Sequence, residues 1–200
     1  LGEVLTMFAV VLFRLPLPLL PIHILLVNLF TDGLPAMALS MDPANEDVME
    51  RKPRPKNEGI FAGGLGLHIL LRGIVIGAGT VGVFAHVWHS LGDLMLARTA
   101  AFFTLACSQL VFVFECKSER KGMFTKEVFN NKYLIFAVLC SLSIMLLSVY
   151  WPTLSHVVGM SPMPWPVLSL CLMISFFSAV GSSLFTRLVR LVRKSRRKEA

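Results

Sequence analysis

The chain has 200 residues, 55% hydrophobic and 16% charged, with a formal net charge of +7 and a mean hydropathy of +0.70. Soluble domains carry roughly a quarter of their residues as charges, so an ordinary soluble globule is excluded. Most of the basic residues lie in a few short segments between and after apolar blocks, an arrangement that points to a membrane and excludes nucleic acid as a partner.

The apolar residues form blocks at 1–13, 19–40, 65–89, 97–115, 133–151 and 166–186, and a helix needs about 20 such residues to cross hydrocarbon. The predicted fold is all-α: a polytopic helical membrane domain of about six transmembrane helices over residues 1–186, the first truncated, then a basic tail at 187–200. Block 1–13 is too short to span. It opens on Leu1 with no basic start and no small-residue cleavage site, so it reads as a helix entered part-way in a longer protein, not as a signal peptide. "RLPLPLLP" (14–21) is a tight Pro-rich turn, since proline inside a helix forfeits a hydrogen bond.

The second block carries "VNLFTDGLPAMAL" (27–39), in which Asn28, Thr31 and Asp32 stand inside an apolar run and are followed by Gly33 and Pro35. The loop 42–64, "DPANEDVMERKPRPKNEGIFAGG", mixes both charge signs with Pro and Gly and is a solvated connection. Within block 65–89, "GIVIGAGTVG" (73–82) resembles a phosphate loop only superficially; in a membrane span its small residues predict close helix packing. "WHSLGD" (88–93) and "PTLSHVVGMSPMPWP" (152–166) are short connections, with Trp88, Trp151 and Trp165 at interfacial depth. His86, His89 and His156 lie near the same boundary and read as interfacial residues. Cys107, Cys116, Cys140 and Cys171 are scattered over different blocks with no CxxC pair, which indicates neither zinc nor a disulfide framework.

Of the 19 Lys and Arg, all but Arg14, Arg72 and Arg98 lie in 42–58, 115–132 and the tail. Consecutive spans put those three segments on one side of the membrane, and the positive-inside rule makes that side the cytoplasm. The tail is a topological flank that anionic membrane lipid would also attract.

Polar groups inside spans are costly and mark function. Counted outward from the turn near Leu17, Glu3 and Thr31 both lie fourteen residues away, about 20 Å along a helix. If the block at 97–115 enters near Leu96, Gln109 reaches a similar depth. Asn28, Thr31 and Asp32 are spaced i, i+3, i+4, which places them on one face of a regular α-helix. Two carboxylates, two amides and a hydroxyl then converge. An all-oxygen set suits a hard cation such as calcium. Gly33 and Pro35 predict a broken helix that frees backbone carbonyls as further ligands, the device by which transporters build midplane ion sites.

At these residues the sequence resembles the P-type calcium-transporting ATPases. "GEV" (2–4), "PIHILLVNLFTDGLPAMALSMDP" (21–43) and "DVMERKPRPKNEGIF" (47–61) are similar to the fifth and sixth membrane helices of that family and the cytoplasmic connection after them. The likeness runs through the chain as helices five to ten and looks closest to bacterial members. It implies that Asn28, Thr31 and Asp32 stand at sixth-helix calcium ligands and Glu3 at a fifth-helix carboxylate. Gln109 stands where two-calcium pumps have an eighth-helix Glu, so one charge is lost and one ion per cycle is implied, as in the secretory-pathway relatives. The resemblance further implies ATP and Mg2+ bound by actuator, phosphorylation and nucleotide domains in an N-terminal half. No DKTG, TGE or GDG-ND motif occurs in these 200 residues, so the segment alone is expected to be catalytically inactive. The expected function is export of calcium from the cytoplasm across a bacterial cell membrane. The alternatives are a pump for Mn2+ or Na+, and a secondary transporter or structural membrane domain with no ATPase half.

Overall fold

The structure is a computed structural model that describes residues 1–42, 65–116 and 131–196, with side chains described for these except Leu65 and 182–196. Most of the basic loops 42–58 and 115–132, the tail side chains and the end of the tail lie outside the described residues. The elements are α1 (Gly2–Leu12), α2 (Pro21–Leu26), a π-helical turn (Val27–Gly33), α3 (Leu34–Ser40), α4 (Leu65–Leu91), α5 (Leu94–Cys116), α6 (Lys132–Tyr150), α7 (Pro152–Val158) and α8 (Trp165–Arg196). No strand occurs among the described residues. The fold is therefore all-α. Four stretches are long and apolar enough to cross a membrane: Pro21–Ser40, Gly66–Leu91, Leu94–Cys116 and Lys132–Tyr150, with shorter apolar helices at Gly2–Leu12 and Trp165–Gly181.

Helix α5 is the centre of the bundle. Of its apolar window, 72% is buried, against about a third or less in the other spans. It packs against α4, α8 and the π turn. Its start is fixed locally: α4 ends on Gly92 at φ +68, and Asp93 Oδ1 accepts from the Met95 and Leu96 amides at 2.9 and 3.1 Å, an N-cap that satisfies two of the orphan donors of a helix start. Two residues thus suffice to reverse the chain between two spans.

The glycines of "GIVIGAGTVG" let neighbouring helices approach, as the composition predicts. A Cβ on Gly77 would lie 3.5 Å from the Gly2 carbonyl and 3.4 Å from Leu5 Cβ, and one on Gly73 would meet Leu1 at 2.9 Å. Gly79 stands equally tight against Ser178 and Ile174 of α8, at 3.0 and 3.1 Å. In lipid the hydrophobic effect does not drive helices together, so such close backbone contact is a main source of cohesion.

Two features depart from the expected layout. The connection 152–166 contains a helix, α7, started by Pro152 at its first turn and stopped by Gly159 at φ +72. Helix α8 does not end with its apolar block near 186; its backbone stays helical to Arg196. The Pro-rich turn reverses through Arg14 at φ +54, and Arg98 Nε donates to the Leu17 carbonyl at 2.9 Å, tying the turn to α5.

Candidate cation site

Glu3 on α1, Thr31 in the π turn and Gln109 on α5 meet in one hydrogen-bonded chain. Gln109 Nε2 donates to Glu3 Oε1 at 3.1 Å. The Thr31 hydroxyl, with one proton to give, lies 2.6 Å from the Val27 carbonyl and 3.1 Å from Gln109 Oε1. The amide orientation follows from chemistry, since the carboxylate can only accept and so must face the NH2. Residues 106 and 78 positions apart in sequence are thereby brought together.

Asn28 and Asp32 are placed differently. Thr31 is 2% exposed, whereas Asn28 and Asp32 are both exposed. The expected single face does not form, because the i, i+3, i+4 rule holds for a regular α-helix and residues 27–33 are π-helical. The added residue in the turn carries Thr31 inward to Gln109 and leaves Asn28 and Asp32 together on the outer side.

The expected helix break is likewise corrected. Val27 (φ −60, ψ −54), Gly33 (φ −65, ψ −54) and Leu34 (φ −62, ψ −47) all keep right-handed helical dihedrals. Pro35 falls in the first turn of α3, where its fixed φ suits a continuing helix. Gly33 is not used for positive φ; a Cβ there would sit 3.4 Å from the Asn28 carbonyl. The span is widened rather than unwound. Short π turns inside α-helices occur frequently at functional sites.

Several residues that hold this region in place had no signal in the sequence. Ser141 of α6, fully buried, donates its hydroxyl to the Phe30 carbonyl within the π turn. Asn131 caps α6 by accepting from the Leu134 amide at 3.0 Å, and its Nδ2 lies 3.1 Å from both the Ala38 carbonyl and Asp42 Oδ1. His23, fully buried, accepts the Leu20 amide on Nδ1 at 3.3 Å and faces the Val158 carbonyl with Nε2 at 3.0 Å. The ring therefore carries its proton on Nε2 and ties the start of α2 to the end of α7. At the opposite end of the bundle Arg72 of α4 pairs with Glu115 of α5, with its guanidinium 4.1 Å above the Phe112 ring. Among the described residues no three His, Cys, Asp or Glu side chains gather as a metal cluster. The candidate set is instead one of mixed oxygens: two carboxylates, two amide carbonyls and a hydroxyl.

The profile of the family described as "Cation transporting ATPase, C-terminus" matches residues 16–188. The chain belongs to this cation-transporting ATPase family. It is 46% identical over 187 residues to a calcium-transporting ATPase of Bacillus subtilis, covering 92% of this chain and 21% of that protein. It is 37% identical over 174 residues to calcium-transporting ATPase 1 of Bacillus cereus, covering 79% and 20%. With calcium-transporting ATPase type 2C member 1 of Mus musculus it shares 30% identity over 190 residues, covering 94% and 20%. The chain thus spans about a fifth of the length of these relatives. The match agrees with the resemblance carried by "NLFTDGLPA", and the cation-transporting ATPase C-terminal region is an integral membrane part made of apolar helices.

Proposed function

We propose that this chain is the cation-holding membrane part of an ATP-driven calcium pump that exports the ion from the cytoplasm. The observation that carries the reading is the junction of Glu3, Gln109 and Thr31 beside a π turn whose outer side bears Asn28 and Asp32. Every donor is an oxygen or can present one, and calcium takes six to eight oxygens. Asp32 supplies a full charge and Asn28 and Thr31 dipoles. Gln109, standing between Glu3 and Thr31, turns its carbonyl towards the ion or keeps it on Thr31. With a neutral amide at Gln109, one ion per cycle is the reading. The relatives' description as calcium-transporting ATPases supports calcium over Mn2+ or Na+.

The exposed side of the span carries Leu25, Leu29 and Met37 besides Asn28 and Asp32, and α1 exposes Val4, Phe8 and Val11. This apolar face fits the membrane helices of an N-terminal half, which would close the site and complete its ligand shell. The phosphorylation, nucleotide and actuator domains of that half would bind ATP and Mg2+. With the loops 42–58 and 115–132 and the tail on the cytoplasmic side, in a bacterial cell membrane, the 42–58 connection at the end of α3 transmits their motion to the site.

The test is phosphorylation of the whole pump by labelled ATP with calcium, manganese or sodium varied singly. Activation at the lowest concentration by calcium, with no incorporation into the 200-residue chain alone, is the expected result. Activation by manganese or sodium without calcium would assign another cation. Incorporation into the chain alone would overturn the division of labour.

A further inference from the structure

Ser141 departs from the other serines of its helix. Ser143 and Ser148 give their hydroxyl protons back to the carbonyls four residues earlier, Leu139 at 2.8 Å and Ile144 at 2.7 Å, the ordinary resort of serine in a helix with no water at hand. Ser141 instead reaches across to the Phe30 carbonyl, 111 residues away in the chain. The reason lies in the register of the π turn. In a π-helix each amide donates to the carbonyl five residues earlier. The ladder over Val27–Gly33 therefore calls on residue 35 to serve the Phe30 carbonyl. Residue 35 is proline and has no N–H. Phe30 is left with an orphan acceptor in a setting where unpaired backbone groups are costly, and Ser141 supplies the missing proton.

We propose that Ser141 is a positioning residue for the cation site: its hydroxyl replaces the donor that Pro35 lacks and so holds the π register that sets Asn28 and Asp32 apart from Thr31. Without that donor the turn relaxes towards a regular α-helix, which satisfies the Phe30 carbonyl differently. A one-residue change of register rotates a helix by about 100°, enough to change where Asn28 and Asp32 stand relative to Thr31 and Gln109. Helix α6 grips the same span a second time, through Asn131 and the Ala38 carbonyl. It therefore acts as a rail along the far side of the site without contributing a ligand. This inference rests on the cation reading above.

The experiment uses the full-length pump and reads two quantities separately: the calcium concentration for half-maximal phosphorylation by ATP, and the maximal phosphorylation level. Ser141→Ala is expected to raise the first about tenfold, equivalent to about 1.4 kcal/mol, and to leave the second within about twofold. Ser141→Thr keeps the hydroxyl and is expected to match the unaltered pump, as is Ser143→Ala. Pro35→Ala restores an N–H at residue 35, so in that background Ser141→Ala is expected to cost far less, a coupling that a double-mutant cycle reads directly. Unchanged half-saturation in Ser141→Ala, equal loss in Ser141→Thr, or an equal cost of Ser141→Ala in both backgrounds overturns the proposal. If Ser141→Ala fails to assemble with Pro35 present, recovery of assembly in the Pro35→Ala background supports the proposal, and failure in both overturns it. Asp32→Asn is measured in parallel. Normal calcium affinity there defeats the cation reading itself, whereas loss there with a silent Ser141→Ala defeats only the positioning role.

Discussion

Removing the carboxylate of Glu115 takes an ion-pair partner from the Arg72 guanidinium in the bundle. The pair is largely enclosed, with 17% of the Arg72 side chain and 9% of the Glu115 side chain exposed. Breaking a buried pair by deleting one partner costs about 3–5 kcal/mol, mostly because the survivor is left buried and uncompensated. Glu115 is the penultimate residue of α5, and Arg72 lies about 10 Å from the start of α4. A long arginine so near a helix end recovers some solvation by snorkelling, and the Phe112 ring still faces it. The expected cost of Glu115→Ala is therefore at the low end, about 3 kcal/mol. Arg72→Lys keeps the charge but loses the fork and the stacking geometry, and should cost about 1 kcal/mol. Replacing both partners by Met and Leu should bring stability back to within about 1 kcal/mol of the original, since neither charge of the pair remains buried. SDS titration of the purified protein, followed by circular dichroism, measures all three. A loss below about 1 kcal/mol in Glu115→Ala, or a double variant as unstable as the sum of its parts, would refute the reasoning.

Gly77→Leu should push α1 from α4 and cost about 1–3 kcal/mol in the same titration, while Gly82→Ala, where an added Cβ meets nothing within 4 Å, should be silent; equal effects would show that the close crossing is unimportant. In a background lacking the native cysteines, impermeant thiol reagents should label Asn57→Cys and Arg196→Cys only from the cytoplasm, and Ser90→Cys and Ser161→Cys only from outside. The opposite pattern would reverse the proposed direction of export.

The spans were legible because each is a continuous apolar block, and block length against bilayer thickness is a one-dimensional signal. Glu3 and Thr31 could be set at a similar depth by counting residues from the Pro-rich turn, and Gln109 by counting from an entry near Leu96, since helices have a fixed rise. The π turn was not legible: "VNLFTDGLP" offers a glycine and a proline, which suggest a break, but whether the backbone unwinds or widens depends on who satisfies the Phe30 carbonyl. That donor, Ser141, is fixed by tertiary packing. The same holds for His23 with Val158, Asn131 with Ala38 and Arg72 with Glu115, each pair set by contacts between helices distant in sequence. Helix α7 was different, because Pro152 at its start and Gly159 at its end were ordinary start and stop signals within a segment too short to register as apolar. The helical extension of α8 past 186 escaped because apolar block length measures only the part of a helix that lies in hydrocarbon.

The charge of Asp32 carries the central claim, and Asp32→Asn removes that charge while keeping the side-chain shape. Two unit charges 4 Å apart interact by about 4 kcal/mol at an effective dielectric of 20, and a divalent ion in a closed site feels no less. At 1.4 kcal/mol per tenfold, calcium affinity should fall by roughly a thousandfold. The measurement is calcium-dependent phosphorylation of the full-length pump by labelled ATP, with Asp32→Asn compared with the unaltered protein over the whole calcium range. Half-saturation is expected to move beyond about a hundred times the original concentration; half-saturation within about threefold of the original would contradict Asp32 as a ligand.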